Sequence, residues 1–155
     1  MDIENIIAEF IKVCELAKIN LTKEDVEVHM LPAGDKHIPT RLKLGHMAVY
    51  IFTNMTGDIC YKVGKVGANS NARYQTQHYS PNSSRSNLAN SILNDYSINA
   101  NEEIQSNITR WIKHNTTRTN LVLNADKGIM TLNLLEAFIQ CRLNPKYEGF
   151  DSQRD

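Results

Sequence analysis

Cysteine is scarce in this chain of 155 residues: Cys14, Cys60 and Cys141 are odd in number and far apart. That arithmetic excludes a disulfide framework, and the apolar neighbours of all three predict buried thiols in a reducing compartment, hence a cytoplasmic protein. Net charge is absent as well, because 17 basic and 17 acidic residues cancel. No run approaches the ~18 apolar residues of a membrane span, so no membrane partner is expected. The first residues lack the basic start and apolar stretch of a secretory signal. Nucleotide-binding GxxxxGK[ST] and GxGxxG, the zinc motif HExxH and paired CxxC are all missing.

What charge there is lies unevenly. Residues 1–30 hold seven acidic and three basic residues, residues 31–118 hold ten basic and five acidic, and the remainder is nearly balanced. A basic middle suits an anionic partner even in a neutral protein. The length predicts one compact unit with a substantial core. Within it, residues 1–40 read as a helical extension and 41–155 as the main domain. Ile3 to Lys18 carries Ile6, Ile7, Phe10, Ile11, Val13, Cys14 and Ala17 on one stripe behind an Asp2 cap, an amphipathic helix. Its stripe must cover either the sheet or a second copy of the chain in a homodimer. Val26 to Leu31 alternates like a short strand. His29 and His37 read as surface or loop histidines.

The organising stretch runs from Met47 to His78. Met47, Val49 and Ile51 alternate with Ala48, Tyr50 and Phe52, so the strand is apolar on both faces and covered on both sides. A turn at Asn54 to Asp58 leads into a second strand, Ile59 to Val66. There, period two sets Tyr61, Val63 and Lys65 on one face and Lys62, Gly64 and Val66 on the other. Gly64 and Gly67 allow close approach of a ligand or backbone. A helix then opens at Asn69 or Ser70 with Arg73 in its first turn, an arrangement that suits a phosphate. Further on, Leu88 to Leu93 reads as a short helix and Glu102 to Ile112 as another with Trp111 in its apolar stripe, followed by a strand at Thr119 to Leu123. In the last helix Glu136 is the one charged residue between Gly128 and Cys141. An unpaired carboxylate there costs several kcal/mol in order of magnitude, so it needs Arg73, Arg142, a lysine or a metal ion.

Ala48-Val49-Tyr50, then Lys62-Val63-Gly64, then Arg73 with His78 beyond it, closed by Glu136 and Asn144, resembles the GIY-YIG nuclease family over roughly Met47 to Gly149. Ala48 replaces the family's usual glycine, and Lys62 its usual tyrosine, as in some restriction-enzyme members. Lys62 lies eleven positions before Arg73 and Lys65 only eight, and the longer interval fits the family better. The family histidine usually follows the arginine by four, a place held here by Gln77, with His78 one further. The resemblance implies an α/β (α+β) domain with a small three-stranded, mainly antiparallel sheet flanked by helices. It implies a metal-dependent DNA endonuclease of restriction or phage type. Tyr50 would act as general base assisted by Lys62, Arg73 would hold the scissile phosphate, and Glu136 would bind Mg²⁺ or Mn²⁺. Tyr61, Lys65, His78 and Asn144 are secondary candidates. The rival reading is a non-catalytic nucleic-acid-binding module on the same fold.

Overall fold

The computed structural model describes residues 1–83, 87–98 and 100–147. Four antiparallel strands, β1 (Glu27–Leu31), β2 (His46–Asn54), β3 (Cys60–Val66) and β4 (Thr116–Asn124), form an open sheet in the order β1-β4-β2-β3. The sheet therefore has four strands rather than the expected three. The additional one is β1, which runs along β4 from Glu27 opposite Val122 to Leu31 opposite Arg118. β4 requires it, because nearly every β4 residue is buried and buried backbone groups need partners on both edges.

β2 is buried along its length from Met47 to Thr53 because it lies between β3 and β4 and both its faces are covered. Below it, α1 (Ile3–Leu16) and α6 (Ile129–Leu143) close an aliphatic core containing Ile7, Phe10, Val49, Ile51, Leu121, Leu135 and Ile139. Asp2 caps α1 by accepting from the Asn5 amide at 3.1 Å. The stripe of α1 thus covers this chain's own sheet, not a second subunit. An Arg142–Glu9 ion pair at 3.0 Å ties α6 to α1.

The other face of the sheet carries α2 (Asn71–Gln75), a 3-10 turn at Gln77–Tyr79, α3 (Leu88–Leu93), α4 (Glu102–Ser106) and α5 (Ile108–Asn115). The helix expected from Glu102 onward is two helices. Asn107 leaves helical geometry at φ −155° and then caps α5 by accepting from the Arg110 amide at 3.0 Å. Trp111 is buried in this second core, as its place on the apolar stripe predicts.

Three local expectations change. Cys14 and Cys60 are buried, but Cys141 is exposed, because α6 turns that position away from the sheet. His37 lies in the loop between β1 and β2, but it is buried there rather than on the surface, with Nδ1 at 3.1 Å from the Thr116 carbonyl and Nε2 at 2.7 Å from the Tyr79 hydroxyl. A β-bulge between Phe52 and Thr53 leaves Tyr61 without a partner in the register, because Phe52 faces Lys62 and Thr53 faces Cys60. Tyr61 accordingly leaves the face of Val63 and Lys65 and stacks with Tyr147, ring centroids 6.0 Å apart. Among the described residues no helix is long and apolar enough to cross a membrane. Gly149, at the end of the resemblance, lies outside the described residues.

Candidate active site

Strand register builds the site in rows. Tyr50 stands between Gly64 on β3 and Asn120 on β4, and the next row is Lys62, Phe52 and Arg118. All these residues share one face, so Lys62 lies diagonally beside Tyr50. Lys65 points to the opposite face. Gly64 is required here: a Cβ at that position would lie 2.2 Å from the Tyr50 hydroxyl and 2.6 Å from Cζ. The phenol therefore runs directly over the backbone of β3, which is an edge strand.

The 3-10 turn after α2 lowers His78 onto this row. Its ring centroid is 4.5 Å from Tyr50 and 5.6 Å from Phe52, and the side chain is fully buried. Neither ring nitrogen has a hydrogen-bond partner among the described residues. Burial holds the His78 pKa well below the ordinary histidine value, and the nearby charges of Arg118, Lys62 and Arg73 push it the same way. His78 is therefore neutral at physiological pH.

Lys62 is buried and donates to the Tyr147 carbonyl at 3.2 Å. Arg73 is exposed on α2. That helix has five residues, and its Ser70 cap makes no side-chain bond, so it lacks the strong N-terminal anion site expected of it. What remains there is the guanidinium itself. Asn71 accepts from the Leu42 amide at 2.9 Å, which ties α2 to the loop carrying Lys36, Arg41 and Lys43.

Glu136 reaches β3 from the other side of the sheet. Its carboxylate forms an ion pair with Lys65, one residue along from Gly64. The pair uses a lysine that was open to it, rather than Arg73 or Arg142. Thus Tyr50, Lys62 and His78 gather on one face while Glu136 and Lys65 approach the same edge strand from the other. Asn144 is exposed, with φ +44°, and ends α6 as a left-handed cap whose amide donates to the Gln140 carbonyl at 2.9 Å. After it, Lys146 and Tyr147 donate their amides to the carbonyls of Cys60 and Tyr61, each at 2.9 Å, and cover the start of the β3 edge. Tyr147 is locked by its hydroxyl to Asp95 at 2.6 Å. Burial alone would raise the Asp95 pKa, but bonds from Lys146, Ser97 and Tyr147 hold it well below the usual carboxylate range.

One group was not singled out from sequence. Arg118, 1% exposed, sends Nε to Asn120 at 2.8 Å and Nη1 to the Tyr74 carbonyl at 2.6 Å, while Nη2 has no partner among the described residues. Its guanidinium carbon is 5.4 Å from the ring centres of both Tyr50 and Phe52 and 4.6 Å from that of Tyr74. Burial raises the Tyr79 pKa and the adjacent guanidinium lowers it, although that contact lacks the geometry of a hydrogen bond to Nη2. The available signal was a cation at a period-two position with Asn120 and Val122, just before a strand expected to begin at Thr119.

A divalent cation at Glu136 is compatible with the residues present. Mg²⁺ keeps several waters and is often held by one or two carboxylates together with substrate phosphate. Glu136 is a single carboxylate beside a half-exposed lysine that could yield its place. Among the described residues no group of three acidic, histidine or cysteine side chains forms a full protein cage. Comparison with protein-family models, with curated proteins and with solved structures finds no match. The likeness to the GIY-YIG pattern therefore rests on the order and spacing of its motifs in the sequence alone.

Proposed function

We propose that this chain is a metal-dependent DNA endonuclease, acting in the cytoplasm, that hydrolyses phosphodiester bonds. The observation that carries this reading is the Tyr50 phenol laid over Gly64, with Lys62 on the same face and the Arg118 guanidinium 5.4 Å from its ring centre. A polyanion is the substrate such a cluster suits, and the basic residues of the Lys36 to Lys43 loop extend it. Tyr50 would accept a proton from the attacking water, and Lys62 on the same face would favour the phenolate. Arg73, exposed, offers a planar fork for two phosphate oxygens. Glu136 would hold Mg²⁺ or Mn²⁺, which when bound supplies charge stabilisation at the phosphoryl oxygens.

The second reading is a nucleic-acid-binding module without turnover. It is favoured by the 1% exposure of Tyr50 and by the engagement of Glu136 with Lys65 on the far face. The separating experiment incubates supercoiled plasmid and single-stranded DNA with Mg²⁺, Mn²⁺ or EDTA. Nicking that needs the metal and falls at least ~10²-fold in Tyr50→Phe and in Glu136→Gln supports the nuclease. Salt-dependent DNA binding without cleavage supports the module. Absence of both overturns the nucleic-acid reading.

A further inference from the structure

The surface cations of this protein are unevenly matched. Lys23, Lys65, Lys127, Arg142 and Lys146 each pair with a carboxylate. Lys36, Arg41, Lys43, Arg73, Arg110 and Lys113 have no ion pair among the described residues, and all are exposed except the half-buried Lys113. They come from three segments, residues 32–45, 71–79 and 108–115, in which Asp35 is the one acidic residue. Like charges gathered without counter-charges repel one another, so the grouping suits an anionic partner.

The fold fastens the three segments together. The loop between β1 and β2 starts on α5, where Gly34, at φ +102°, donates its amide to the Lys113 carbonyl at 2.8 Å. It ends at α2, where the Leu42 amide donates to the Asn71 side chain at 2.9 Å. Between these ties the His37 ring stacks on Phe52, centroids 6.5 Å apart. Tyr79 joins all three segments: it follows α2, its hydroxyl meets His37 Nε2 at 2.7 Å, and its carbonyl accepts from the Thr109 hydroxyl of α5 at 2.6 Å. The unpaired cations therefore stand on one braced frame. Tyr74, Tyr79 and Trp111 in these segments are all buried, which leaves no exposed Phe, Tyr or Trp ring there on which unpaired bases would stack.

We infer that the loop at residues 32–45, together with Arg73, Arg110 and Lys113, is a docking surface for the phosphate backbone of duplex DNA. This rests on the nucleic-acid reading and adds where the duplex lies: across the β1–β2 loop and onto Arg73. Cations on a fixed frame meet a regular array of phosphates without first being ordered, and release of the counterions from the DNA drives the association. Such contacts give position and carry no sequence information.

The test measures binding of a fluorescently labelled DNA duplex by anisotropy over a range of salt, with EDTA present so that no metal-dependent cleavage intervenes. Each neutralised phosphate contributes about −0.9 to the log–log salt slope, so Lys36→Ala/Arg41→Ala/Lys43→Ala should be shallower by about 2–3 and bind about 10²-fold more weakly near ~0.1 M salt. The loss should be the same for duplexes of unrelated sequence. Lys12 and Lys18 are the other exposed cations without an ion pair among the described residues, and they belong to the α1 side of the sheet. Lys12→Ala/Lys18→Ala should therefore change neither slope nor affinity. An unmoved slope in the triple variant, or an equal change in this control, overturns the inference. So does absence of duplex binding, or tighter binding of single-stranded DNA or of polyglutamate than of the duplex. If the triple variant does not fold, Lys36→Ala, Arg41→Ala and Lys43→Ala decide singly, each with a slope shallower by about 1 if the surface is correct and an unmoved one if it is not. Duplex binding with the expected slopes in a protein that cuts no DNA upholds the surface and rejects the nuclease. Cleavage by a triple variant that keeps the wild-type salt slope does the reverse.

Discussion

The two faces of β2 differ in kind. Met47, Val49 and Ile51 look onto α1 and α6 and pack in an aliphatic core, with the partly solvated Lys65–Glu136 pair at its β3 side. Ala48, Tyr50 and Phe52 look the other way, and beyond them lie His78, Lys62 and Arg118, all buried, the first and last with nitrogen atoms that lack partners among the described residues. Each large aliphatic side chain on the first face contributes about 1.5–3 kcal/mol through burial. The second face holds groups whose burial opposes folding. One face stabilises the sheet, and the other uses that stability to hold polar chemistry out of water.

The contrast breaks most sharply through substitutions on the aliphatic face. Leu135→Ala should cost about 2–5 kcal/mol, read by urea unfolding, because a fully buried side chain leaves a cavity. The pH profile of any cleavage should stay unchanged below the new melting temperature. A shifted profile would mean that the faces are not separable.

Gly64→Ala tests the other face with one methyl group. The new Cβ collides with the Tyr50 ring, so a loss of about 1–3 kcal/mol is expected together with loss of the Tyr50 function. Tyr50→Ala should remove most of that penalty, giving a coupling of about 1 kcal/mol or more in a double-mutant cycle. Additive effects would show that the phenol does not lie over Gly64.

Acid should reveal the cost of the polar face. His78 and His37 are held below the unfolded histidine value near ~6.5, His37 at about 4. Between the folded and unfolded values the unfolded chain binds more protons, so stability must fall as pH drops below ~6.5, with the His37 contribution complete near pH 4. His78→Phe removes one of these groups, so its stability should fall less steeply over that interval. Chemical unfolding at several pH values measures this directly. A pH slope equal to that of the wild type would exclude a buried, neutral His78.

Lys65→Met should have the smallest effect. Its pair with Glu136 is partly solvated, so about 1 kcal/mol or less of stability is at stake. Because Lys65 faces away from Tyr50, the Tyr50 phenol titration should not move. Lys62→Met, on the phenol's own face, should depress cleavage at neutral pH and recover in part as pH rises. Equal behaviour of the two variants would mean that the register does not separate them.

Much of the frame was readable along the chain. Alternation located β2 and β3, helical spacing located α1 and the Trp111 stripe, and period two set Lys62 and Lys65 on opposite faces, since side-chain direction in a strand is a local property, while the pairing of β2 with β3 decided that Lys62 is the one beside Tyr50. Tyr61 escaped that rule because a bulge depends on the register of the partner strand, which no local pattern records. β1 was visible as a strand, but its membership of the sheet follows from β4 needing a second edge. The solitary Glu136 announced that it needed a cation, and only the packing of α6 on β3 decided that the cation is Lys65. His37, His78 and Arg118 show where local reading stops. A polar side chain has no fixed tendency to be buried, so its burial is decided by the aromatic residues that distant segments bring around it.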